Sequence, residues 1–386
     1  MIIQTPSLLN INSRAFPSYI WESPLSFKSE VIEIYPIHIK NNWTSLPKSL
    51  AQANITGRKV FLVTDENVAA LYLSDIQAIL SPLFSNIPYF VLSAGETSKN
   101  LESTIKLLTS FAQAGLDRSS FIISLGGGVV SDIAGFAASI YMRGISYISL
   151  PTTLLSIADS SIGGKTGVDF AGTKNLVGSF HNPSLVYINL AALNTLDNTQ
   201  YISGLAEVIK YGIILDSNLF DYIHDNRQEV ASRNTDVLER LVRDSVRIKS
   251  EIVVADEREA NLRQILNYGH TFGHAIEALC NFSLPHGHCV ALGMVCATNF
   301  SHNMGMMTMF HVEHIRRLLD FFGLPVRLPA DYKISVDDIY NMMLRDKKAR
   351  DGELTLIISH QIGSVEIING AKKKEVIKAI ESIKGE

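Results

Sequence analysis

Two histidines one helical turn apart, His270 and His274, stand in the run Leu266-Asn267-Tyr268-Gly269-His270-Thr271-Phe272-Gly273-His274-Ala275-Ile276-Glu277. At i and i+4 they share one face of a helix. Both could ligate a metal ion, or one could ligate while the other moves protons. Pro285-His286-Gly287-His288 offers more imidazole just before the next helix. Glu207 offers a carboxylate from an apolar helical run, Ser203-Gly204-Leu205-Ala206-Glu207-Val208-Ile209-Lys210, where a charge needs a partner. Two histidines and one carboxylate form a catalytic zinc set that leaves positions open for substrate. Any one of these histidines alone reads as a core or capping residue. The set, with Glu207 on an apolar helix, is what favours a metal.

Basic side chains gather around the same segments. Lys165 lies in Ser161-Ile162-Gly163-Gly164-Lys165-Thr166-Gly167, Lys210 follows Glu207 by one turn, and Lys249 and Arg263 precede the histidine helix. Lys347 and Lys348 follow Asp346. Each alone would be a solvated surface charge. The Gly-Gly-Lys-Thr-Gly run is similar to a phosphate loop but lacks the full Walker spacing, which argues against an ATPase. Ser120–Val129 is a strand running into Gly126-Gly127-Gly128 and then a helix. Glycines let a ligand approach the backbone, and a helix N-terminus offers free N–H groups to an anion such as a pyrophosphate. The same residues also suit a tight turn with no ligand, and they are not the GxGxxG fingerprint. Asp65, Asn67, Glu96, Lys99, Thr152 and Thr153 each follow an expected strand. Singly they read as caps or turn residues; together they mark one edge of a sheet, where nucleotides bind.

Short apolar runs bounded by turn residues predict strands at 31–39, 60–64, 89–92, 121–125, 147–150 and 185–188, as a sheet buried on both faces requires. Helical spacing covers 101–114 and 129–142. The alternation predicts an α/β domain with a largely parallel sheet. From about residue 191 the period turns helical, with helices expected at 204–215, 235–254, 265–280, 289–303 and 312–322. One late hairpin runs from 354–359 to 365–368, with Gly363 in its turn. The expected organisation is an extension over 1–30, an α/β domain over 31–190 and a mainly helical domain over 191–386.

The chain has 386 residues, 46% hydrophobic and 19% charged, with a net charge of −4. That balance is globular and argues against a general nucleic-acid or membrane-surface binder. The three cysteines, Cys280, Cys289 and Cys296, form no disulfide framework and read as buried thiols in a reducing compartment. The N-terminus has no signal-peptide pattern and no stretch is long and apolar enough to span a bilayer. A cytoplasmic protein is expected.

Taken together, the motifs resemble the 3-dehydroquinate synthase family of sugar-phosphate cyclases. The matching segments are Val63–Asn67, Gly95–Lys99, Gly126–Phe136, Tyr141–Gly144, Pro151–Gly167, Lys174–Gly178, Ser203–Gly212, Leu266–Glu277, His286–Gly287 and Asp346–Lys348, in the expected order from about residue 55 to 360. The resemblance implies that Glu207, His270 and His286 bind one zinc or cobalt ion. It assigns substrate binding and proton handling to His274, Asn267, Arg263, Lys165, Lys210, Lys249 and Lys347. Arg143 matches an arginine that reaches the phosphate site of a neighbouring subunit, which implies a homodimer. NAD contacts are implied for Asp65, Asn67, Glu96, Lys99, Gly127, Gly128, Val129, Asp132, Thr152, Thr153, Asp159, Lys165, Lys174, Asn175, Thr195 and Leu196. Three departures stand out. Asp197-Asn198-Thr199-Gln200 replaces the family's usual Pro and Arg, His288 replaces its usual Glu, and the strand before the first nucleotide contact matches poorly.

The implied reaction turns 3-deoxy-D-arabino-heptulosonate 7-phosphate into 3-dehydroquinate and phosphate. It runs by transient oxidation with NAD, phosphate elimination, reduction and aldol closure. The departures keep open a sister cyclase such as 2-deoxy-scyllo-inosose synthase. A metal-dependent alcohol dehydrogenase of similar build, or a protein with no catalytic role, are the other readings; the second would need a histidine set that binds no metal.

Overall fold

The structure is a computed structural model that describes residues 35–55, 59–259, 262–345 and 354–384. The expected extension over 1–30 and the expected site residue Lys347 lie outside the described residues. The described chain falls into two compact units. One holds the residues up to Leu196 together with Lys249–Val254, and the other holds Asp197–Ile248 and the residues from Ala255 onward.

The first unit is built on a six-stranded parallel sheet. Its strands are β1 (Ile37–Lys40), β2 (Val60–Asp65), β3 (Tyr89–Leu92), β4 (Phe121–Gly126), β5 (Ser146–Pro151) and, after an excursion, β8 (Leu185–Asn189), in the order β1-β8-β5-β4-β2-β3. Side chains alternate between two cores. Val60, Leu62, Ile123 and Leu125 pack on one face with Leu46, Ile76 and Leu80. Phe61, Val63 and Ile122 pack on the other with Leu107, Phe111 and Ile133. Helices therefore cover both faces, and every residue of β4 is buried, so the central strands read as continuous apolar runs. From β2 the chain steps outward to β3, then returns to place β4 on the other side of β2. The carboxyl ends of β2 and β4 flank this reversal, the place where open α/β sheets bind ligands.

The excursion is an antiparallel hairpin of β6 (Lys165–Phe170) and β7 (Thr173–Phe180). This corrects the loop-like reading of Gly163–Gly167, because Lys165 opens a strand and its side chain is exposed. The helix expected over 129–142 spans Gly128–Ile140 and ends where Met142 and Arg143 take positive φ of 50° and 70°.

The second unit is mainly helical, with one hairpin of β9 (Leu356–Gln361) and β10 (Ser364–Ile368). Gly363 turns it at φ +91°. Two helices are buried along nearly their whole length, Asn198–Ile214 and His286–Asn303, which is the mark of a helix at the centre of a core. They pack against each other, and the second also packs on the helix His270–Leu279. The helix expected over 265–280 is broken: a 3₁₀ segment Leu262–Asn267 precedes it, and Gly269, at φ +76°, starts His270–Leu279 afresh. His286 and His288, expected just before a helix, lie in its first turn after Pro285. No described helix is long and apolar enough to cross a membrane. All three cysteines are buried free thiols.

Candidate functional site

The helical unit brings Glu207, His270 and His286 together. One ligand atom from each lies within 4.8 Å of the others. The approach depends on backbone contact. At Gly287 a Cβ would fall 1.9 Å from the carbonyl oxygen of Ser203, one turn before Glu207. Only a hydrogen-sized side chain lets the helix bearing His286 come so close to the helix bearing Glu207. The Gly287 N–H also bonds Ser203 Oγ at 2.9 Å.

The two rings are held by their Nδ1 atoms. His270 Nδ1 lies 3.1 Å from the Tyr268 carbonyl oxygen and His286 Nδ1 lies 3.4 Å from Glu277 Oε2. An acceptor at Nδ1 fixes the proton there and leaves the Nε2 lone pair for another partner. Both Nε2 atoms face the same oxygen, Glu207 Oε1, at 3.3 and 3.6 Å. That oxygen is buried and accepts no hydrogen bond. Two imidazole nitrogens and a carboxylate oxygen converging on one point suit a divalent cation, so the residues fit the expected metal.

The other Glu207 oxygen accepts from the buried ammonium of Lys210. Burial pushes the Glu207 carboxyl up, but Lys210 and then His270 outweigh it and hold it well below the usual carboxylate range. Burial, with Lys210, lowers His270. For His286 burial acts downward, yet Glu207 and Glu277 raise it to about 9. A cation among these groups would reverse that preference for a protonated ring.

His274 sits beside the cluster, its ring centroid 5.2 Å from that of His270 and 5.9 Å from that of His286. Arg263 is 2% exposed; its guanidinium donates to the Glu257 carbonyl at 2.6 Å and its backbone N–H to Asp256 at 3.0 Å. Asn267 Nδ2 donates to Glu259 Oε1 at 2.8 Å. Glu259 carries a positive φ of 57°. The sequence reading did not single out Glu259 or Glu277. The signal for Glu277 was its i+3 spacing from His274 on a face that already carried two histidines.

In the sheet unit the glycine turn lies at the end of β4. Gly127 precedes the helix Gly128–Ile140, and a Cβ on Gly127 would come within 3.0 Å of Thr153 Cγ2. The turn is thus walled by Thr153 and offers its backbone, which fits a bound pyrophosphate. Asp65 ends β2 and caps the next turn through the Val68 N–H at 3.0 Å; Asn67 is exposed beside it. Four of the expected cofactor residues meet in one ionic cluster: Lys99 reaches Asp132 at 2.6 Å and Glu96 at 3.9 Å, and Lys174 reaches Glu96 at 3.8 Å. Asn175, at φ 50°, donates its N–H to Asp169 at 2.8 Å, and Asp169 in turn donates its own N–H to the Lys99 carbonyl at 2.9 Å.

Thr152 N–H bonds the Gly126 carbonyl at 3.0 Å, so the ends of β4 and β5 stay joined. Val129 and Thr153 flank the turn. Asp159 is ion-paired with Lys249. Thr195 bonds Tyr72, with Leu196 next in the chain. Lys165 and Arg143 are exposed.

A parallel sheet with a glycine turn at its reversal point, followed by a helical unit with a His-His-Glu cluster, defines the class: the α/β-plus-helical fold of the sugar-phosphate cyclases. In a solved structure of that class, 2-epi-5-epi-valiolone synthase from Streptomyces hygroscopicus with NAD+ and Zn2+ bound, the match reaches a TM-score of 0.83 at 27% identity, over 94% of this chain and 99% of that one. A 2-deoxy-scyllo-inosose synthase structure, complexed with carbaglucose-6-phosphate, NAD+ and Co2+, matches at a TM-score of 0.81 over 93% of this chain and 98% of that one; at 24% identity it speaks for the fold alone.

The family models for the 3-dehydroquinate synthase N-terminal and C-terminal regions match residues 89–203 and 204–349. The 3-dehydroquinate synthase of Acetivibrio thermocellus is 42% identical over 332 residues, 86% of this chain and 91% of that protein. This chain belongs to the 3-dehydroquinate synthase family.

Proposed function

We propose that this chain acts as a 3-dehydroquinate synthase, a carbon–oxygen lyase that uses NAD and one divalent ion, zinc or cobalt. Its reaction would be 3-deoxy-D-arabino-heptulosonate 7-phosphate to 3-dehydroquinate and phosphate, in aromatic amino-acid biosynthesis. The observation that carries the reading is the buried Glu207 oxygen faced by two Nε2 atoms whose rings are locked from behind, in a chain 42% identical to a relative bearing that name.

When bound, the metal polarises the substrate oxygen it touches and NAD takes up and returns a hydride. The chain's own residues do the rest. Glu207, His270 and His286 hold the ion. The Gly127–Val129 backbone faces the pyrophosphate, with Asp65, Asn67, Glu96, Lys99, Asp132, Thr152, Thr153, Asp159, Lys174, Asn175, Thr195 and Leu196 around the remaining nucleotide. His274 stands where a proton can be moved beside the ion-binding rings. The family resemblance carries phosphate and carboxylate binding over to Arg263, Asn267, Lys165, Lys210, Lys249 and Lys347, whose positioning of the substrate would supply much of the rate. Arg143, exposed at a positive φ, is offered to the phosphate site of a second copy in a homodimer. Cytoplasmic residence fits three buried, unoxidised thiols.

The test is to offer the purified protein, with NAD and Zn2+ or Co2+, the keto acid phosphate and glucose 6-phosphate in parallel, following phosphate and NADH together. One phosphate per keto acid with no net NADH is expected. Phosphate from glucose 6-phosphate alone would move the chain to a sister cyclase. Stoichiometric NADH without phosphate would make it a dehydrogenase.

A further inference from the structure

Glu277 is a buried carboxylate, 3% exposed, in a helix whose other polar residues on the same face are His270 and His274. At i, i+4 and i+7 the three line one stripe. A carboxylate there costs free energy unless it is paired, and it faces His286 Nδ1 at 3.4 Å. The two rings of the cluster are thus supported differently. His270 is held by a neutral backbone carbonyl, His286 by a full negative charge.

We infer that Glu277 is a positioning residue that acts through His286. It keeps the proton on Nδ1, turns the ring so that Nε2 faces Glu207, and raises the electron-pair basicity of that Nε2 toward a divalent cation. This rests on the metal-centre reading above. A carbonyl fixes the tautomer and strengthens the donor a little; an anion strengthens it more. The structure therefore assigns His286 as the stronger imidazole donor and Glu277 as the reason. Glu277 also forms a second close group with His274 and His286, whose ligand atoms lie within 4.8 Å of one another. With Nδ1 of His286 already facing Glu277 and its Nε2 facing Glu207, the arrangement favours one ion and an outer carboxylate.

The experiment uses the full chain, wild type, Glu277→Gln and Glu277→Ala. Zn2+ affinity is measured by chelator competition, Co2+ absorption in the visible is recorded, bound metal is counted, the urea unfolding midpoint serves as a measure of intact folding, and NAD affinity is followed as a control on the sheet unit. Glu277→Ala should weaken Zn2+ about 10- to 100-fold. Glu277→Gln, which keeps an acceptor for Nδ1–H but not the charge, should fall between it and wild type and shift the Co2+ bands. NAD affinity should stay within about twofold, a change of roughly 0.4 kcal/mol. Wild-type Zn2+ affinity and an unchanged Co2+ spectrum in Glu277→Gln would overturn the inference, whether or not the alanine variant folds. Two ions per wild-type chain, with one lost in both variants, would also overturn it, making Glu277 a ligand. If wild type itself binds no Zn2+, the metal-centre reading fails first.

Discussion

The two units build their polar centres by opposite means. In the sheet unit the candidate nucleotide site is made of backbone. Strand topology delivers the ends of β2 and β4 to one edge, and the glycine turn presents N–H groups there. In the helical unit the candidate metal site is made of side-chain atoms from three helices, brought together because Gly287 removes the Cβ that would hold two of them apart. The first should tolerate losing a side chain and resist gaining one. The second should fail when a single donor is lost.

The largest effect is expected on the donor side. His270→Ala should cost more than about 100-fold in Zn2+ affinity, since even outer partners of a metal ligand are worth about 10- to 100-fold. Cyclase turnover should be lost with the metal, while NAD titration stays near wild type. Full metal occupancy in that variant would erase the contrast between the units.

Next comes the packing that makes the donors meet. Gly287→Ala puts a methyl 1.9 Å from the Ser203 carbonyl oxygen, a backbone atom that cannot swing away. Overpacking of this kind costs about 1–3 kcal/mol. Here it should also move His286, so urea midpoint and Zn2+ affinity should fall together. A fall in stability with wild-type metal binding would show that the centre does not depend on the close approach.

On the backbone side the sign reverses. Gly127→Val places its first carbon 3.0 Å from a Thr153 methyl, which can give a little. The folded state should survive, but NAD affinity should drop at least about tenfold, or ~1.4 kcal/mol. Glu96→Ala, which removes one side chain from the same edge, should change it by less. If the alanine variant proves the worse binder, side chains rather than the turn hold the nucleotide.

How much of this the sequence discloses follows from the same contrast. The central parallel strands are legible within a residue, because burial on both faces leaves an uninterrupted apolar run: Phe121–Leu125 was expected where β4 spans Phe121–Gly126. The first strand was not: it was expected over 31–39, but β1 spans Ile37–Lys40, mostly half-buried at the edge of the sheet, and 31–34 lie outside the described residues. The β6–β7 hairpin was not foreseen. In β7 exposed residues such as Leu176 and Phe180 alternate with half-buried ones, so no apolar face marks it; the cue was the turn at Ala171-Gly172, both at positive φ. The break before His270 was hidden too, since apolar spacing continues through Gly269 and only the backbone angle there resets the helix. Glu207 stood out as a charge in an apolar run. Glu277 did not, because its partner lies nine residues on, across a turn that periodicity does not describe.

The smallest effect concerns the ion pair of the sheet unit, and its sign can be worked out. Lys99 is buried, which lowers an ammonium, but Asp132 at 2.6 Å, with Glu96 and Asp169 behind it, raises it above the ordinary 10.5. A raised lysine adds stability that is complete below about 10.5 and is lost as pH climbs toward the native value, because the unfolded chain gives up its proton first. Asp132 is itself pushed up by burial against the pull of Lys99, so its charge is held at some cost at neutral pH. Asp132→Asn removes both features. Lys99 then keeps only the weaker Glu96 and Asp169 as counter-charges, and burial pulls its ammonium down. Urea unfolding between pH 8 and pH 11 should therefore show wild type losing stability toward the upper end of that range. In Asp132→Asn the loss should shrink to less than half, or reverse if the buried cation is left under-compensated. Parallel curves would mean that Lys99 is held by the cluster as a whole and not by Asp132. That would make the sheet unit's edge a shared charge network, less unlike the three-donor centre of the helical unit than its backbone turn suggests.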